Sequence, residues 1–322
     1  MLVYTTRRLL YSIPVLILST FITFCAVSYA GNPLAAVKAQ PRISQNTIHN
    51  LELQFHLDKP VPLRYVYWFK DFFTHKFGSY LIGGTPMWPD VTRTLGHTLQ
   101  VVGTAELIAF ILGVLIGIFS AVRQYSFFDY FFTSFSFVGF AMPTFLLALL
   151  LQMLMVELYQ RWNIRVFYTS GLNSPGVFST WSLDRLRHIA LPVITLCIVS
   201  LAVYSRYMRA SMLDVLNTDY VRTARAKGLA EWRVIMRHVF RNALIPMATI
   251  AALNIGALFG GAIITEQIFG LDGFGYWFIQ ELNAPDVYGV MTYLVITGFM
   301  IIVFNLVADV AYGFLDPRIR LD

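Results

Sequence analysis

The chain has 322 residues, of which 57% are hydrophobic, 16% aromatic and only 13% charged, with a formal net charge of +6. A chain this apolar is excluded from folding as a water-soluble globular domain of its length. Its excess of Lys and Arg falls where membrane topology would place it, so nucleic acid need not be invoked.

Six apolar runs are each long enough to cross roughly 30 Å of hydrocarbon, which takes about 20 helical residues. They cover residues 9–29, 98–122, 127–159, 188–208, 245–269 and 287–315. The expected fold is therefore all-α and integral to a membrane, with six transmembrane helices. The first run is followed by Ser28-Tyr29-Ala30, which faintly resembles a signal-peptidase site. It is too long for a typical signal segment, so residues 1–30 read as an uncleaved first helix.

Residues 31–97 read as a small extracytoplasmic subdomain. Within it, 43–57 has Ile48, Leu51 and Phe55 at helical spacing, with His49 and His56 on one face. Two histidines make a poor metal site. Asp58-Lys59-Pro60-Val61-Pro62 reads as a turn, because each proline biases the preceding residue away from helix. In 63–73, Tyr65, Trp68, Phe69 and Phe72 recur near helical spacing, a face suited to a cap with interfacial contact.

Residues 98–322 read as a five-helix core. Glu106 lies in its first span with Gln100 and Thr104 nearby; Pro143 marks a kink in the next, and Pro192 a kink or a helix start. Pro175-Gly176 marks an external turn. Cys25 and Cys197 sit inside apolar runs as small packing residues, with no disulfide or metal cluster in prospect.

The polar stretch from Asp219 to Leu229 reads as a short, deliberately ended helix at the cytoplasmic surface. Asp219 offsets the positive end of its dipole, Lys227 lies in the last turn and Gly228 supplies a left-handed stop. A second amphipathic stretch follows, with Trp232, Ile235, Met236, Val239, Phe240 and Ala243 on one face and Arg233, Arg237 and Arg241 on a separate stripe. An ordinary basic loop is the plain alternative.

Asn254, Glu266 and Gln267 lie in the fifth run, where Gly256, Gly260 and Gly261 would let another helix approach. Residues 271–286 are too polar to span and suit a re-entrant elbow at the outer mouth. Asn305 and Asp309 share a face of the last run. Polar groups inside apolar spans call for a functional reading. Glu106, Asn254, Glu266, Gln267 and Asn305 suit a translocation path of scattered, weakly binding groups; bridging of helices is the competing reading. Asp309, near a helix C-terminus that disfavours a carboxylate, suits a structural ion pair.

With six spans both termini lie on one side. Arg7, Arg8, Arg123, the 206–241 segment, Arg318 and Arg320 then all fall in the cytoplasm, although Arg161, Arg165, Arg185 and Arg187 run against the rule. No Gly-x4-Gly-Lys-Ser/Thr phosphate cradle occurs, and no nucleophile–base pairing or metal cluster is legible. The chain is not expected to be an enzyme, and energy would have to come from elsewhere.

An ordered set of motifs runs through the chain. It comprises Leu57-Asp-Lys-Pro60, Phe77-Gly-Ser79, His188-Ile-Ala-Leu-Pro192, Tyr204-Ser-Arg-Tyr-Met-Arg-Ala-Ser-Met-Leu-Asp-Val-Leu-Asn-Thr-Asp219 continuing to Leu229, Arg241-Asn-Ala-Leu-Ile-Pro246 and Leu315-Asp-Pro-Arg-Ile-Arg320. In this the chain resembles the permease subunit of bacterial binding-protein-dependent ABC importers of the dipeptide/oligopeptide type, over essentially its whole length. The general importer loop is Glu-Ala-Ala, three residues, then Gly; here Arg222, Thr223, Ala224 and Gly228 stand in those places. The missing Glu and first Ala fit the peptide branch and argue against a sugar importer.

The resemblance implies the type I importer permease architecture in a bacterial cytoplasmic membrane, with a coupling loop at about 212–243 that inserts into an ATPase subunit. It assigns Asp219, Tyr220, Arg222, Thr223, Ala224, Arg225, Ala226, Lys227 and Gly228 to that coupling. Small Ala224 and Ala226 would permit close approach, and Arg222, Arg225 and Lys227 would pair with acidic partner groups. Implied partners are a second homologous permease, two cytoplasmic ATPase subunits or domains holding ATP and Mg, an extracytoplasmic solute-binding protein, and lipid; no cofactor is implied in this chain. Nickel, glutathione, haem-related or sugar-derived cargo stays open within the family. A stand-alone secondary transporter or channel is the reading from another class, but it would need inverted repeats or a coupling-ion site, and neither is found.

Overall fold

A computed structural model describes residues 2–30, 34, 38, 44–54, 56–74, 80, 85–177, 179, 182–284 and 286–315. The Phe77-Gly-Ser79 motif and nearly all of the closing motif lie outside the described residues, as do the side chains of Arg7, Arg8 and Asp309 and the packing at Gly260 and Gly261.

Every regular element among the described residues is a helix. The order is α1 (Leu2–Ala30), α2 (Gln45–Gln54), α3 (Val61–Thr74), α4 (Trp88–Val122), α5 (Phe127–Ala141), α6 (Thr144–Trp162), α7 (Leu183–Leu216), α8 (Asp219–Ala226), α9 (Glu231–Val234), α10 (Arg241–Phe269), α11 (Phe274–Asn283) and α12 (Val287–Leu315). A π-helical turn, Ile235–Phe240, joins α9 to α10. Six stretches are long and apolar enough to cross a membrane: in α1, α4, α6, α7, the helix running from Glu231 to Gly256, and α12.

Two expectations change in detail. The run 127–159 is not one kinked helix but two helices, α5 and α6, parted where Met142 and Pro143 take extended backbone (ψ 123° and 132°). Proline removes an N–H and disfavours helix in the residue before it, so the chain breaks there. Pro192, by contrast, lies inside α7, whose start is set by Ser182 accepting from Arg185 N (3.1 Å).

The core has two parts. The larger joins α4 to α7 and continues through α8 to α10; α7 is its central helix. At 34 residues and 1.5 Å per residue, α7 is roughly 51 Å long and outruns the roughly 30 Å hydrocarbon layer. The smaller part joins α1, the segment between α1 and α4, α11 and α12.

The aromatic face of α3 packs as a cap: Tyr65, Trp68 and Phe72 are buried, with Phe21 and Phe24 of α1 edge-on to Tyr65 at 5.2 and 5.6 Å. The hydroxyls of Tyr65 and Thr20 are hydrogen-bonded at 2.9 Å. His56 does not share a helix face with His49; α2 ends at Gln54, and His56 takes a left-handed backbone and stacks on Tyr67 at 4.0 Å.

Candidate functional site

The segment from Thr218 to Ala243 packs its buried residues into the larger core on both sides of a turn at Gly228. Thr218 starts α8 with extended backbone, and Asp219 and Arg222 lie 3.7 Å apart on its surface. At the other end Gly228 sits at φ +73°, Gly228 N donates to Arg225 O (2.9 Å) and Leu229 N to Ala224 O (3.4 Å). This pair of bonds is a Schellman motif, the expected left-handed stop. Val221 and Ala224, at 0% and 6% exposure, lock one face of α8 into the chain's own core. Asp219, Tyr220, Arg222, Thr223, Arg225, Ala226, Lys227 and Gly228 face outward.

Two roles move as a result. Ala224 permits close approach inside the chain, and Ala226 is the small residue left on the outer face. Arg225 is already engaged: its Nη2 donates to Glu231 Oε1 (2.6 Å) and its Nε to Oε2 (3.1 Å), bracing the turn at Gly228. Beyond it, Ile235, Val239 and Ala243 are buried and Arg233, Arg237 and Arg241 face out, but Trp232 is exposed and Val234 buried in its stead. The π-helical turn alters the face that each position presents, a register change that a strict α-helical reading does not anticipate.

Deep in the larger core, Glu106 meets partners other than its near neighbours. Ser200 Oγ (2.5 Å) and Asn254 Nδ2 (3.2 Å) donate to its Oε1, and the Tyr204 hydroxyl donates to Oε2. Gln100 instead accepts from buried Arg185 Nε and Nη2 (3.0 and 2.8 Å), and Thr104 Oγ1 donates to Gln100 O. Hydrogen bonds to a charged group contribute about 1.5–3 kcal/mol each. Three of them offset part of the several kcal/mol lost on desolvating one ion. The cluster therefore holds a carboxylate in place with no basic side chain among these partners.

Glu266 stands apart, near the C-terminus of α10. It accepts from Thr98 Oγ1 (2.5 Å) and Tyr276 N (2.9 Å), while Thr98 Oγ1 accepts from Phe274 N (2.8 Å). These bonds pin the N-terminus of α11, the elbow, to α4 and α10, and a side chain at Gly273 would collide with the Glu266 carboxyl. The geometry favours loop anchoring for Glu266 and a shared cluster for Glu106 and Asn254. Gln267 and Asn305 are partly buried and join neither set of hydrogen bonds.

Gly256 faces Ile301 of this chain's own α12 at ordinary contact distance (3.8 Å). Close helix approach occurs instead at Gly113 and Gly117 of α4, where an added Cβ would lie 2.6 Å from Tyr204 Cβ and 2.5 Å from Met208 Cβ of α7. The small-xxx-small spacing of Gly113 and Gly117 was a readable signal. A buried ion pair was not. Arg209 Nε and Nη2 donate to Asp129 Oδ1 and Oδ2 (2.7 and 2.8 Å), tying the first turn of α5 to α7. The two residues lie 80 positions apart, so spacing gave no cue.

On the elbow, outside the spans, Glu281 is pushed up to about 7, first by burial and then by the Asp286 and Asp90 carboxylates. A folded-state value above the unfolded one near 4.3 penalises the fold at pH above about 7, and the penalty fades as pH falls toward the unfolded value. Glu281→Gln is expected to raise Tm most at pH 8, with the gain shrinking toward zero only as pH falls below about 4. Thermal unfolding across that range checks it; a pH-independent gain would assign the effect to something other than ionisation.

Residues 113–321 match the family model described as binding-protein-dependent transport system inner membrane component. The oligopeptide transport system permease protein OppB of Mycobacterium tuberculosis (strain ATCC 25618 / H37Rv) is 36% identical over 322 residues, covering 99% of each chain. AppB, an oligopeptide transport system permease protein of Bacillus subtilis (strain 168), is 35% identical and covers 99% of this chain and 100% of its own. DppB, a dipeptide transport system permease protein of Escherichia coli (strain K12), is 34% identical over 99% of each. Among solved structures, an inward-facing form of the MetNI methionine ABC transporter aligns with TM-score 0.55 and 14% identity, covering 71% of this chain and 98% of that one. At that identity the likeness is one of fold.

Proposed function

The chain belongs to the family of binding-protein-dependent transport system inner-membrane components, and on that premise we propose that it is the permease subunit of an ATP-driven ABC importer of oligopeptides or dipeptides. It is a multi-pass inner-membrane protein, and in this reading both termini are cytoplasmic. It forms half of a translocation path beside a homologous second permease, receives cargo from an extracytoplasmic solute-binding protein, and is driven by two cytoplasmic ATPase subunits or domains that bind ATP and Mg. The peptide cargo rests on the names of the full-length relatives.

The observation that carries the reading is the build of α8. Val221 and Ala224 fix it to the core around α7, while its polar face stays open. A helix so placed transmits force: a push on the outer face moves the inner face, and with it the long helices. Asp219, Tyr220, Arg222, Thr223, Arg225, Ala226, Lys227 and Gly228 form the contact in this reading, and Ala224 the anchor. Asn254 and Glu106 line the path; Glu266 holds its outer elbow.

The test is reconstitution in lipid of this chain with its companion subunits, followed by ATP hydrolysis and uptake with and without binding protein and a mixed peptide pool. Peptide-dependent stimulation supports the proposal; co-purified ATPase without a peptide response leaves a permease for another solute. Failure of an ATPase to co-purify would overturn the coupling assignment. Gly228→Leu sharpens this test. Its Cβ meets nothing within 4 Å, so the cost is left-handed strain of about 1–2 kcal/mol rather than collision. Insertion and assembly are expected to survive while ATP hydrolysis no longer drives uptake. Normal uptake would remove Gly228 from the lever, and misassembly would reduce it to a helix stop.

A further inference from the structure

Glu106, only 4% exposed, lines a cavity of about 490 Å³ bounded by α4, α7, α10 and α12. That volume lies within the roughly 300–1,000 Å³ typical of small-molecule sites. Leu99, Val102, Phe110, Ile255 and Phe304 make the wall apolar, and Tyr204 adds its hydroxyl. The lining includes no Lys or Arg.

A carboxylate offers about four lone-pair sites, and Ser200, Asn254 and Tyr204 fill three of them. Those donors are neutral. They fix the carboxylate and spread its charge without cancelling it, beside an apolar wall that offers no competing cation. The wall around it presents almost nothing that sorts one side chain from another.

Resting on the peptide-importer reading, we propose that this cavity is a transient site for the protonated amino terminus of the cargo, with the Glu106 carboxylate as its counter-charge. A compact ammonium group with three donors is the one cation that every unblocked peptide carries, whatever its sequence. The three neutral hydrogen bonds temper the attraction, which suits a site that must also release its cargo. The permease itself then reads a free amino terminus and tolerates varied side chains. Ser200, Tyr204 and Asn254 act as positioning residues for Glu106.

The experiment uses the complete importer in liposomes, with a hydrophobic tripeptide and its des-amino analogue, each at saturating occupancy of the binding protein. A benzophenone on the first residue reports capture near Glu106, and uptake is measured in parallel. The wild-type preference for the free amino form is expected to fall by about tenfold in Glu106→Gln. Any preference of the binding protein is common to both and cancels in the comparison. An equal loss for both cargoes would assign Glu106 to helix packing alone and overturn the proposal.

Gly103→Met provides a second arm, because a Cβ there meets nothing within 4 Å and the new side chain enters the hollow without disturbing the partners of Glu106. It is expected to slow both cargoes in an intact complex, and unaltered uptake would take the cavity off the path. If the wild type captures and transports neither peptide although its ATPase is present, the peptide reading fails first and this inference with it.

Discussion

Asp129→Ala is expected to destabilise the assembled permease by about 3 kcal/mol, the low end of the range for removing one partner of a buried ion pair. The low end applies because the Arg209 side chain keeps 27% exposure while that of Asp129 keeps 4%. Asp129 does more than pair with Arg209: its Oδ2 accepts from Tyr125 N (3.0 Å), its Oδ1 from Thr133 Oγ1 (3.2 Å), and its own N–H donates to Ser126 Oγ (3.2 Å). Alanine would leave a guanidinium against α5 with its fork unfilled and would loosen the short connection between α4 and α5. The double variant Asp129→Leu with Arg209→Met removes both charges and is expected to recover most of the loss, since replacing a whole buried pair by apolar groups is often neutral. Thermal unfolding of wild type, Asp129→Leu, Arg209→Met and the double variant closes the cycle. Additive losses would show that the two side chains are held independently.

Gly117→Leu is expected to prevent stable packing of α4 against α7. The first added carbon alone would lie 2.5 Å from Met208 Cβ and 2.9 Å from Ser205 O, and the latter is backbone that no side-chain rotation removes. Overpacking a core typically costs about 1–3 kcal/mol, and here it falls between the two long helices that carry most of the larger core. Separation at this point also shifts Tyr204 and Ser200 on α7 away from Glu106 on α4. The measurable result is loss of the monodisperse complex on size-exclusion chromatography, together with loss of uptake. Gly96→Leu on the same helix is the control, because a Cβ there meets nothing within 4 Å. Equal behaviour of the two variants would show that the cause is helix propensity or insertion rather than the α4–α7 approach.

Much of this protein was legible before any coordinates. Apolar runs of spanning length fix the number of long membrane helices, because hydrocarbon leaves the backbone no other way to satisfy its hydrogen bonds along those stretches. The end of α8 at Gly228 was legible too, since the backbone there takes φ +73°, a conformation that favours glycine. The ordered motifs carried the family assignment. Local chemistry acts over a few residues, and these features are local.

What the sequence could not decide is where non-local partners meet. Glu106 stands six residues from Gln100, yet its partners come from positions 200, 204 and 254. Gln100 serves Arg185, and Asp129 finds Arg209 across 80 residues. Periodicity places a side chain on a helix face, but the facing helix is chosen by how all the helices pack. The same holds for Ala224, whose smallness was evident and whose direction was not: it points into this chain's own core, leaving Ala226 outside. The amino-acid sequence by itself therefore determined the membrane class, the number of spanning helices and the helix stop at Gly228, which depend on hydropathy and backbone preference along the chain. Only the tertiary structure decided which polar groups pair and which one lines the cavity, because hydrogen bonds and buried charges are settled by distances of a few ångströms between helices far apart in sequence.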